Sequence, residues 1–317
     1  MQTIRFQNGD EMPALGLGTW KSSPEDAEAA VGEALRAGYR HVDCAKIYLN
    51  EDGIGRALRS ATNGGTVRRD ELWITSKLWN DGHREADVRP ALEATLRDLQ
   101  LDHLDLYLMH WPVAHRPGVL RPEAPEDFLS LDEVPLVETW RGLEAAQRAG
   151  LCRHIGVSNF SVPKLRALRE QADQAPEMNQ IELHPYLQQR GQLEDARANG
   201  MALTAYSPLG SFDRPDTMKA EDEPVLLEDA AIGAIAARLD ASPAQVLIRW
   251  ALQRGTAVIP KTTRPERMRE NLAAAALELT ADDMAAIGAL DRARRYIDGT
   301  FWERPGGPYT VAALWDE

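Results

Sequence analysis

The chain alternates short apolar runs with helical patterns from one end to the other, and no other feature of the sequence limits its folds as strongly. Strands that alternate with helices form a parallel sheet, which the helices cover. Eight such units in 317 residues predict an α/β protein with one (β/α)8 barrel, the TIM-barrel architecture, in a single domain over residues 1–317. The predicted strands are Leu15–Thr19, His41–Ala45, Leu72–Lys77, Leu104–His110, His154–Val157, Met178–Leu183, Ala202–Tyr206 and Thr256–Pro260.

Capping residues and turn signals mark the elements around these strands. Asn8-Gly9 predicts the turn of a small hairpin within residues 2–14. Asn50 is a predicted N-cap, and capping boxes are predicted at Ser242–Gln245 and Thr263–Glu266. The clearest helical patterns are Pro24–Arg36 after Ser22 and Ser23, Glu85–Leu99, Leu136–Ala149, Pro163–Gln171 after Ser161, Gln192–Asn199 and Pro243–Gln253.

The charge balance limits the partners that the protein can have. Acidic residues outnumber basic ones by 49 to 36, which gives a net charge of −13. Nucleic acids and anionic membranes attract basic surfaces, so we expect neither as a partner. Cys44 and Cys152 lack metal-binding or redox spacing, and the N-terminus lacks the apolar core of a signal peptide. We therefore expect a cytoplasmic protein without a metal site and, in the absence of an interface pattern, a monomer.

Four polar side chains lie at or just beyond the carboxyl ends of three consecutive predicted strands. Asp43 lies near the end of the second strand, with Tyr48 a short loop further on, while Lys77 and His110 end the third and fourth. Neighbouring strands are about 5 Å apart, so these side chains should meet at one rim of the barrel. There Asp43 would keep Lys77 charged, and the ammonium would lower the pKa of the Tyr48 phenol. Such a phenol can protonate a carbonyl oxygen, while His110 orients the carbonyl by a second hydrogen bond.

Each of the four residues has a plainer interpretation when it is taken alone. A lysine, tyrosine or histidine near a strand end is more often a solvated or satisfied residue than a catalytic one. The four together are harder to obtain by chance, so we favour catalysis. A first alternative is a Schiff-base lyase, because a barrel lysine such as Lys77 can also hold a carbonyl substrate covalently. Asp43 argues against it, since a lysine that is kept charged is a poor nucleophile.

A basic segment after the eighth strand predicts where an anionic cofactor binds. The usual nucleotide motifs are lacking: Gly16 and Gly18 are followed by Lys21 where a Rossmann fingerprint has its third glycine, and there is no Walker A sequence. In residues 261–271, four basic residues cluster at a predicted helix N-terminus, where barrels commonly bind phosphate. They are Lys261, Arg264, Arg267 and Arg269. The alternative is a solvated basic face that is paired with Glu266 and Glu270.

The whole chain resembles the aldo-keto reductases, in the branch of the aldose and xylose reductases. The resemblance implies that the hairpin plugs the bottom of the barrel and that two extra helices lie near 228–239 and 281–290. It also implies the same catalytic set of Asp43, Tyr48, Lys77 and His110. The matching segments are Gly16–Trp20, His41–Glu51, Ile74–Trp79, Asp105–Pro112, Ile155–Phe160, Gln180–Pro185, Tyr206–Gly210 and Ile259–Asn271.

The resemblance further assigns a site for NADPH or NADP⁺, with NADH less favoured. Ser158, Asn159 and Gln180 would hold the nicotinamide carboxamide, and Tyr206 would stack on the ring. Lys261, Thr262 and Arg267 would bind the 2′-phosphate, and Glu270 and Asn271 the adenine. Asp213 would clasp Lys21 and Lys261 over the cofactor. The remaining implied cofactor residues are Gly18, Thr19, Trp20, Asp43, Ser207, Leu209, Ser211, Ile259 and Pro260.

The expected activity is reduction of aldehydes and activated ketones, including small dicarbonyls, to alcohols. Hydride would come from NADPH and the proton from Tyr48. An aromatic pocket favours substrates with apolar bodies. An alternative role, which some relatives have, is a regulatory subunit that binds NADPH and turns over poorly. The implied pocket residues are Trp20, Ile47, Leu49, Trp79, Trp111, Phe301 and Trp302.

Overall fold

A computed structural model of the protein, described for residues 2–221 and 223–317, contains the predicted eight-stranded parallel sheet. Each strand pairs with its neighbours in chain order, as an alternation of strands and helices dictates. Parallel bridges Leu15–Val258 and Gly18–Lys261 join the first strand to the eighth, so the sheet closes into a barrel. The strands are Leu17–Gly18, His41–Asp43, Trp73–Leu78, Leu104–Met109, Cys152–Ser158, Met178–Glu182, Ala202–Tyr206 and Ala257–Val258.

The helices begin mostly where the capping residues predict. Ser23 and Ser161 each accept a hydrogen bond from a backbone amide of the helix that follows, and Ser242 with Gln245 forms the predicted capping box. The two extra helices are Ala230–Arg238 and Ala281–Gly288. The other helices are Pro24–Ala37, Glu51–Asn63, Glu85–Leu99, Leu136–Arg148, Val162–Arg169, Arg190–Asn199, Pro243–Gln253, Pro265–Ala273 and Val311–Trp315.

Two predicted caps are wrong in detail. The helix after Thr263 begins at Pro265 with Arg264 as its N-cap, because proline favours the first helical position, so no Thr263–Glu266 box forms. Asn50 precedes its helix but makes no capping hydrogen bond. Its buried amide instead donates to the carbonyls of Thr19 and Ser22, both at 3.0 Å. Asn50 therefore ties the loop after the first strand to the loop that carries Tyr48.

The N-terminal hairpin closes the end of the barrel at which the strands begin. Its strands are Thr3–Arg5 and Glu11–Pro13. Phe6 stacks on Trp73 and packs against His154, with ring centres 5.1 and 4.3 Å apart. Asp10 lies 3.0 Å from His154 Nε2 and accepts a 2.6 Å hydrogen bond from Arg153. The hairpin is thus fixed by apolar and ionic contacts together.

Three long segments cover the opposite end. Residues 113–134 carry a short hairpin, Ala114–His115 paired with Phe128–Leu129. Residues 207–221 and 223–228 contain single turns at Asp216–Met218 and Leu226–Glu228, and the tail contains one at Thr300–Trp302. Within the described ranges, no single helix has the length and apolar character of a membrane span. The helices Ala230–Arg238 and Pro243–Gln253 have that length and apolar character only when they are taken together, and the chain bends by 92° between them.

Candidate active site

Lys77 and Asp43 form a fully buried ion pair where the second and third strands end. Lys77 Nζ lies 2.5 Å from Asp43 Oδ1 and also donates to the Cys44 carbonyl at 2.8 Å. Gln180 donates to the other carboxylate oxygen, Oδ2, at 2.6 Å. Both oxygens of Asp43 are therefore occupied, and the ammonium is held in one place.

The charge on Lys77 is stabilised by its surroundings. Burial alone would lower the pKa of Lys77, but Asp43 and the other acidic groups nearby outweigh it, so the pKa lies above its ordinary value. The lysine is consequently protonated throughout the neutral range. This supports the predicted electrostatic role and makes Lys77 a poor amine nucleophile.

Tyr48 lies close to both this ammonium and His110. Lys77 Nζ is 5.3 Å from the centre of the Tyr48 ring, and the Tyr48 and His110 ring centres are 6.0 Å apart. Burial raises the pKa of Tyr48 to about 12, although Lys77 acts in the opposite direction. The expected net lowering of this pKa is wrong, because the lost hydration of a phenolate outweighs the attraction of the ammonium. The phenol is therefore protonated at neutral pH and gives up its proton only to an atom beside it on which negative charge develops.

His110 is a neutral imidazole at the end of the fourth strand. Burial, reinforced by the positive charge of Lys77, lowers the pKa of His110 well below its ordinary value. Asn159 donates to the His110 carbonyl at 3.0 Å, and the ring packs edge-on against Trp79 at 5.2 Å. A neutral ring has one N–H, so it can donate one hydrogen bond to a carbonyl oxygen.

Three of the four residues that are predicted to be catalytic line one cavity of about 790 Å³ at the carboxyl ends of the strands. Tyr48, His110 and Asp43 line it, while Lys77 lies behind them. Lys21 and Asp213 form an ion pair of 2.7 Å beside it. All twenty residues expected to bind the cofactor line this cavity: Gly18, Thr19, Trp20, Lys21, Asp43, Ser158, Asn159, Gln180, Tyr206, Ser207, Leu209, Ser211, Asp213, Ile259, Pro260, Lys261, Thr262, Arg267, Glu270 and Asn271.

The chemistry of these side chains fits a nicotinamide dinucleotide phosphate. Lys261 and Arg267 face the cavity and make no ion pair within the described ranges, so they are available to a phosphate. Ser207 and Ser211 have left-handed backbone conformations, with φ of 47° and 46°, of the kind that clusters at ligand clamps. Ser158 and Asn159 bring hydroxyl and amide groups to the cavity wall, where Asn159 is hydrogen-bonded to the His110 carbonyl. Across residues 2–221 and 223–317, no three His, Cys, Asp or Glu side chains group as a metal site would require.

A family model described as the Aldo/keto reductase family matches residues 14–292 of this chain. The chain belongs to the aldo/keto reductase family. Membership makes it an NADP-dependent oxidoreductase that acts on carbonyl compounds, and it confirms the family resemblance seen in the sequence. Within that family, the chain is 53% identical to "Aldo/keto reductase slr0942" of Synechocystis over 317 residues, which are 100% of this chain and 97% of that protein.

Other aldo-keto reductases are similar over nearly the same length. Human "Aldo-keto reductase family 1 member A1" is 44% identical over 296 residues, which cover 93% of this chain and 90% of that protein. A Bombyx mori aldo-keto reductase, solved in complex with NADP, superposes with a TM-score of 0.86 at 34% identity. The match covers 97% of this chain and 99% of that one. The relationship therefore includes the tail as well as the barrel.

Leu49 does not line the pocket of this aldo-keto reductase, contrary to expectation. Its side chain is 55% exposed, because the turn Lys46–Tyr48 ends on Leu49 in a left-handed conformation that directs it outward. Lys46 also turns away and forms a 2.6 Å ion pair with Asp98. The other six expected pocket residues line the cavity: Trp20, Ile47, Trp79, Trp111, Phe301 and Trp302.

Sequence reasoning missed the polar part of the pocket mouth. Arg121 and Arg304 both line the cavity, and neither forms an ion pair in the described part of the chain. Arg304 donates to the carbonyls of Pro122 and Phe301, at 2.9 and 3.1 Å, and so links the tail to the loop of residues 113–134. No local excess of positive charge marks these two arginines, because acidic residues outnumber arginines both in residues 113–134 and in residues 291–317.

The tail that carries Phe301 and Trp302 is fixed near both of its ends. Glu182 is buried at the end of the sixth strand and accepts hydrogen bonds from the amides of Tyr296 and Ile297, at 2.7 and 2.8 Å. At the far end, Asp316 accepts a hydrogen bond from Ser161 and pairs with Lys164 at 2.7 Å. The apolar wall of the pocket is thus held against the barrel at two points.

Proposed function

We propose that this protein reduces aldehydes and activated ketones, including small dicarbonyls, to alcohols with NADPH, and uses NADH less well. The observation that carries the proposal is the convergence of a phenol, a buried ammonium and a neutral imidazole at the floor of an aromatic cavity. When bound, NADPH supplies a hydride to the carbonyl carbon. The protein's residues must then handle the charge that develops on the carbonyl oxygen.

Tyr48 is the proposed proton donor. It remains protonated at neutral pH, so its O–H can be transferred to the oxygen once negative charge develops there. Lys77 lies close enough to stabilise the phenolate that remains, and Asp43 keeps Lys77 charged without taking part in the transfer. His110 donates a hydrogen bond that orients the carbonyl.

The substrate body would lie among aromatic rings. Trp79, Trp111 and Trp302 are buried and pack edge-on or tilted against one another, with ring centres 5.7–5.8 Å apart. A rigid apolar pocket of this kind removes water from the reacting carbonyl and favours aryl and alkyl aldehydes.

The two alternatives are less well supported. A Schiff-base lyase needs a neutral lysine, whereas Lys77 is charged and is held by two acceptors. A regulatory subunit with little turnover would not need the complete set of Asp43, Tyr48, Lys77 and His110 around an open cavity. Measured turnover on a panel of aldehydes separates this last case from an enzyme.

We also propose that the protein is a single-domain cytoplasmic monomer. The family match spans residues 14–292 without a break, and the charge of −13 disfavours self-association at neutral pH. Light scattering coupled to gel filtration should give a mass close to 35.2 kDa. A mass near twice that value would contradict the monomer.

The Tyr48→Phe variant tests the mechanism. It should bind NADPH with unchanged affinity, as measured by quenching of tryptophan fluorescence, and should reduce an aryl aldehyde about 10²- to 10⁴-fold more slowly. Tyr186→Phe is the matched control, because the Tyr186 hydroxyl donates to Asp229 and Tyr186 does not line the cavity. Near wild-type reduction by Tyr48→Phe would show that the proton comes from elsewhere.

A further inference from the structure

The short helix Val311–Trp315, near the end of the chain, carries a tryptophan that contacts the pocket wall from outside the cavity. Trp315 is 8% exposed, and its ring centre lies 6.0 Å from that of Trp111, with an angle of 65° between the two planes. Trp111 lines the cavity, whereas Trp315 does not. Trp315 therefore belongs to a layer that supports the wall, and the mechanism proposed above gives it no role.

The Trp315 ring is held by several contacts. Its indole N–H donates to the carbonyl of Asp298 at 2.6 Å. The guanidinium carbon of Arg295 lies 3.6 Å from the ring centre, within the range of a cation–π contact. Gly299 allows the helix to approach closely, because a Cβ atom at this position would overlap the side chain of Leu314. The ring is thus fixed by a hydrogen bond and by close packing together.

The helix is attached to the barrel as well as to the rest of the tail. A helix of five residues is too short to be stable by itself. Lys164, on the barrel helix that follows the fifth strand, donates to the carbonyl of Ala313 at 2.6 Å and pairs with Asp316 at 2.7 Å. Ser161 donates a further hydrogen bond to Asp316. The position of Trp315 is consequently set by a helix of the barrel itself.

Trp111 has two further aromatic neighbours. Its ring lies edge-on to Phe301 at 5.5 Å and to Trp302 at 5.7 Å, measured between ring centres, and both of these residues line the cavity. Protein interiors are close-packed, so the Trp111 ring can shift only where a neighbour gives way. Of these three neighbours, Trp315 is the one that can be replaced without a change in the residues that line the cavity.

We propose that Trp315 is a positioning residue for substrate selection. It holds the Trp111 ring against Phe301 and Trp302, and it thereby fixes the width of the pocket that receives the body of the carbonyl compound. A pocket of fixed width rejects a larger body, because overpacking a close-packed site is costly. This role rests on the proposed function, in which the aromatic pocket binds the substrate. The size limit for substrates then depends on a residue outside the cavity.

The Trp315→Ala variant tests this role. It leaves a void beside Trp111 into which the ring can shift, so the pocket should accept a larger aryl group. The ratio of kcat/KM for 1-naphthaldehyde to kcat/KM for benzaldehyde should rise about three- to tenfold. The KM for NADPH should remain unchanged, because Trp315 does not line the cavity. A crystal structure of the variant should show the Trp111 ring displaced into the void, which is a readout independent of turnover.

Two further variants separate positioning from a loss of stability. Trp315→Phe keeps an aromatic ring beside Trp111 but loses the hydrogen bond to Asp298, and it should restore the wild-type ratio. Trp140→Ala is the matched control, because Trp140 is a buried tryptophan that donates to the Gln174 carbonyl at 2.8 Å and does not line the cavity. It should lower the melting temperature and leave the ratio unchanged.

The outcomes distinguish this role from the proposed function. An unchanged or lower ratio in folded Trp315→Ala, an unmoved Trp111 ring, or an equal rise in Trp140→Ala would overturn the positioning role. If Trp315→Ala does not fold, Trp315→Leu keeps an apolar side chain at this position, and the presence or absence of the same rise then decides. If the wild-type protein reduces neither aldehyde with NADPH, the proposed function fails, while the position of the Trp111 ring in the variant crystal still tests the packing.

Discussion

Lys21 and Asp213 are separated by 192 residues in the chain, yet Lys21 Nζ lies 2.7 Å from Asp213 Oδ1 beside the cofactor half of the cavity. Asp213 belongs to residues 207–228, and Lys21 to the loop that Asn50 holds. A dinucleotide that lies along the cavity would pass beneath this ion pair. Cofactor release would then require it to open.

Breaking this ion pair should speed cofactor dissociation. We expect Asp213→Asn to release NADP⁺ about two- to fivefold faster, because partly exposed ion pairs contribute roughly 0.2–1 kcal/mol. Stopped-flow tryptophan fluorescence during displacement measures the rate. Asp195→Asn breaks an ion pair with Arg169 on the outside of the barrel and should leave the rate unchanged. Equal rates for Asp213→Asn and wild type would show that the pair does not retain the cofactor.

The basic segment should set the choice between the two nicotinamide cofactors. Lys261→Ala and Arg267→Ala should each raise the KM for NADPH about tenfold or more, since a hydrogen bond to a charged group is worth roughly 1.5–3 kcal/mol. The KM for NADH, which lacks the 2′-phosphate, should change little. Arg269→Ala is the control, because Arg269 lies on the same helix but does not line the cavity. Parallel increases for both cofactors would remove the phosphate assignment.

The pocket mouth should favour carbonyl compounds that carry an anionic group. Arg121→Ala should raise the KM for 4-carboxybenzaldehyde about three- to tenfold and leave that for 4-methylbenzaldehyde unchanged, since an exposed guanidinium adds roughly 1 kcal/mol of attraction. Steady-state kinetics on the two substrates measures the difference. Arg116→Ala alters the same loop away from the cavity and should affect neither. A uniform change for both substrates would indicate altered packing instead.

The hairpin plug should make stability depend on pH through His154. Burial alone would lower the pKa of His154, but Glu177 and Asp10 outweigh it, and the pKa lies above its ordinary value. This contribution to the free energy of unfolding is complete below the unfolded-state pKa of about 6.5 and is lost as pH rises through the higher folded value. Urea denaturation at pH 6 and pH 9 should show a loss in wild type that is smaller in His154→Gln. A loss of equal size in both would place its origin elsewhere.

The barrel could be predicted because each of its elements is encoded locally. Strands such as Leu104–Met109 are buried on both faces and are therefore mostly apolar in sequence. Serines such as Ser161 and Ser242 fix the helix starts. The Thr263 cap failed because two local signals competed and Pro265 prevailed.

The convergence of Asp43, Tyr48, Lys77 and His110 could be predicted because strand ends in a barrel meet at one rim whatever the loops do. The pocket mouth could not, since it depends on how three long segments fold over one another. Arg304 reaches the mouth by bonding to Pro122, 182 residues earlier, which no local pattern encodes. Leu49 faces solvent because of a single left-handed residue at a turn. The net pKa of Tyr48 depends on burial, which is a property of the finished fold.

The two anchors of the tail, at Glu182 and at Asp316, have a consequence for how this protein can change. The segment between them can lengthen or shorten at small entropic cost, because the cost of closing a loop rises slowly with its length. Neither anchor contacts Tyr48 or Lys77, so a change in the length of this segment should leave these two residues in place. The part of the pocket wall that Phe301 and Trp302 form is therefore open to redesign by exchanging one contiguous stretch of chain, with Tyr48 and Lys77 left as they are.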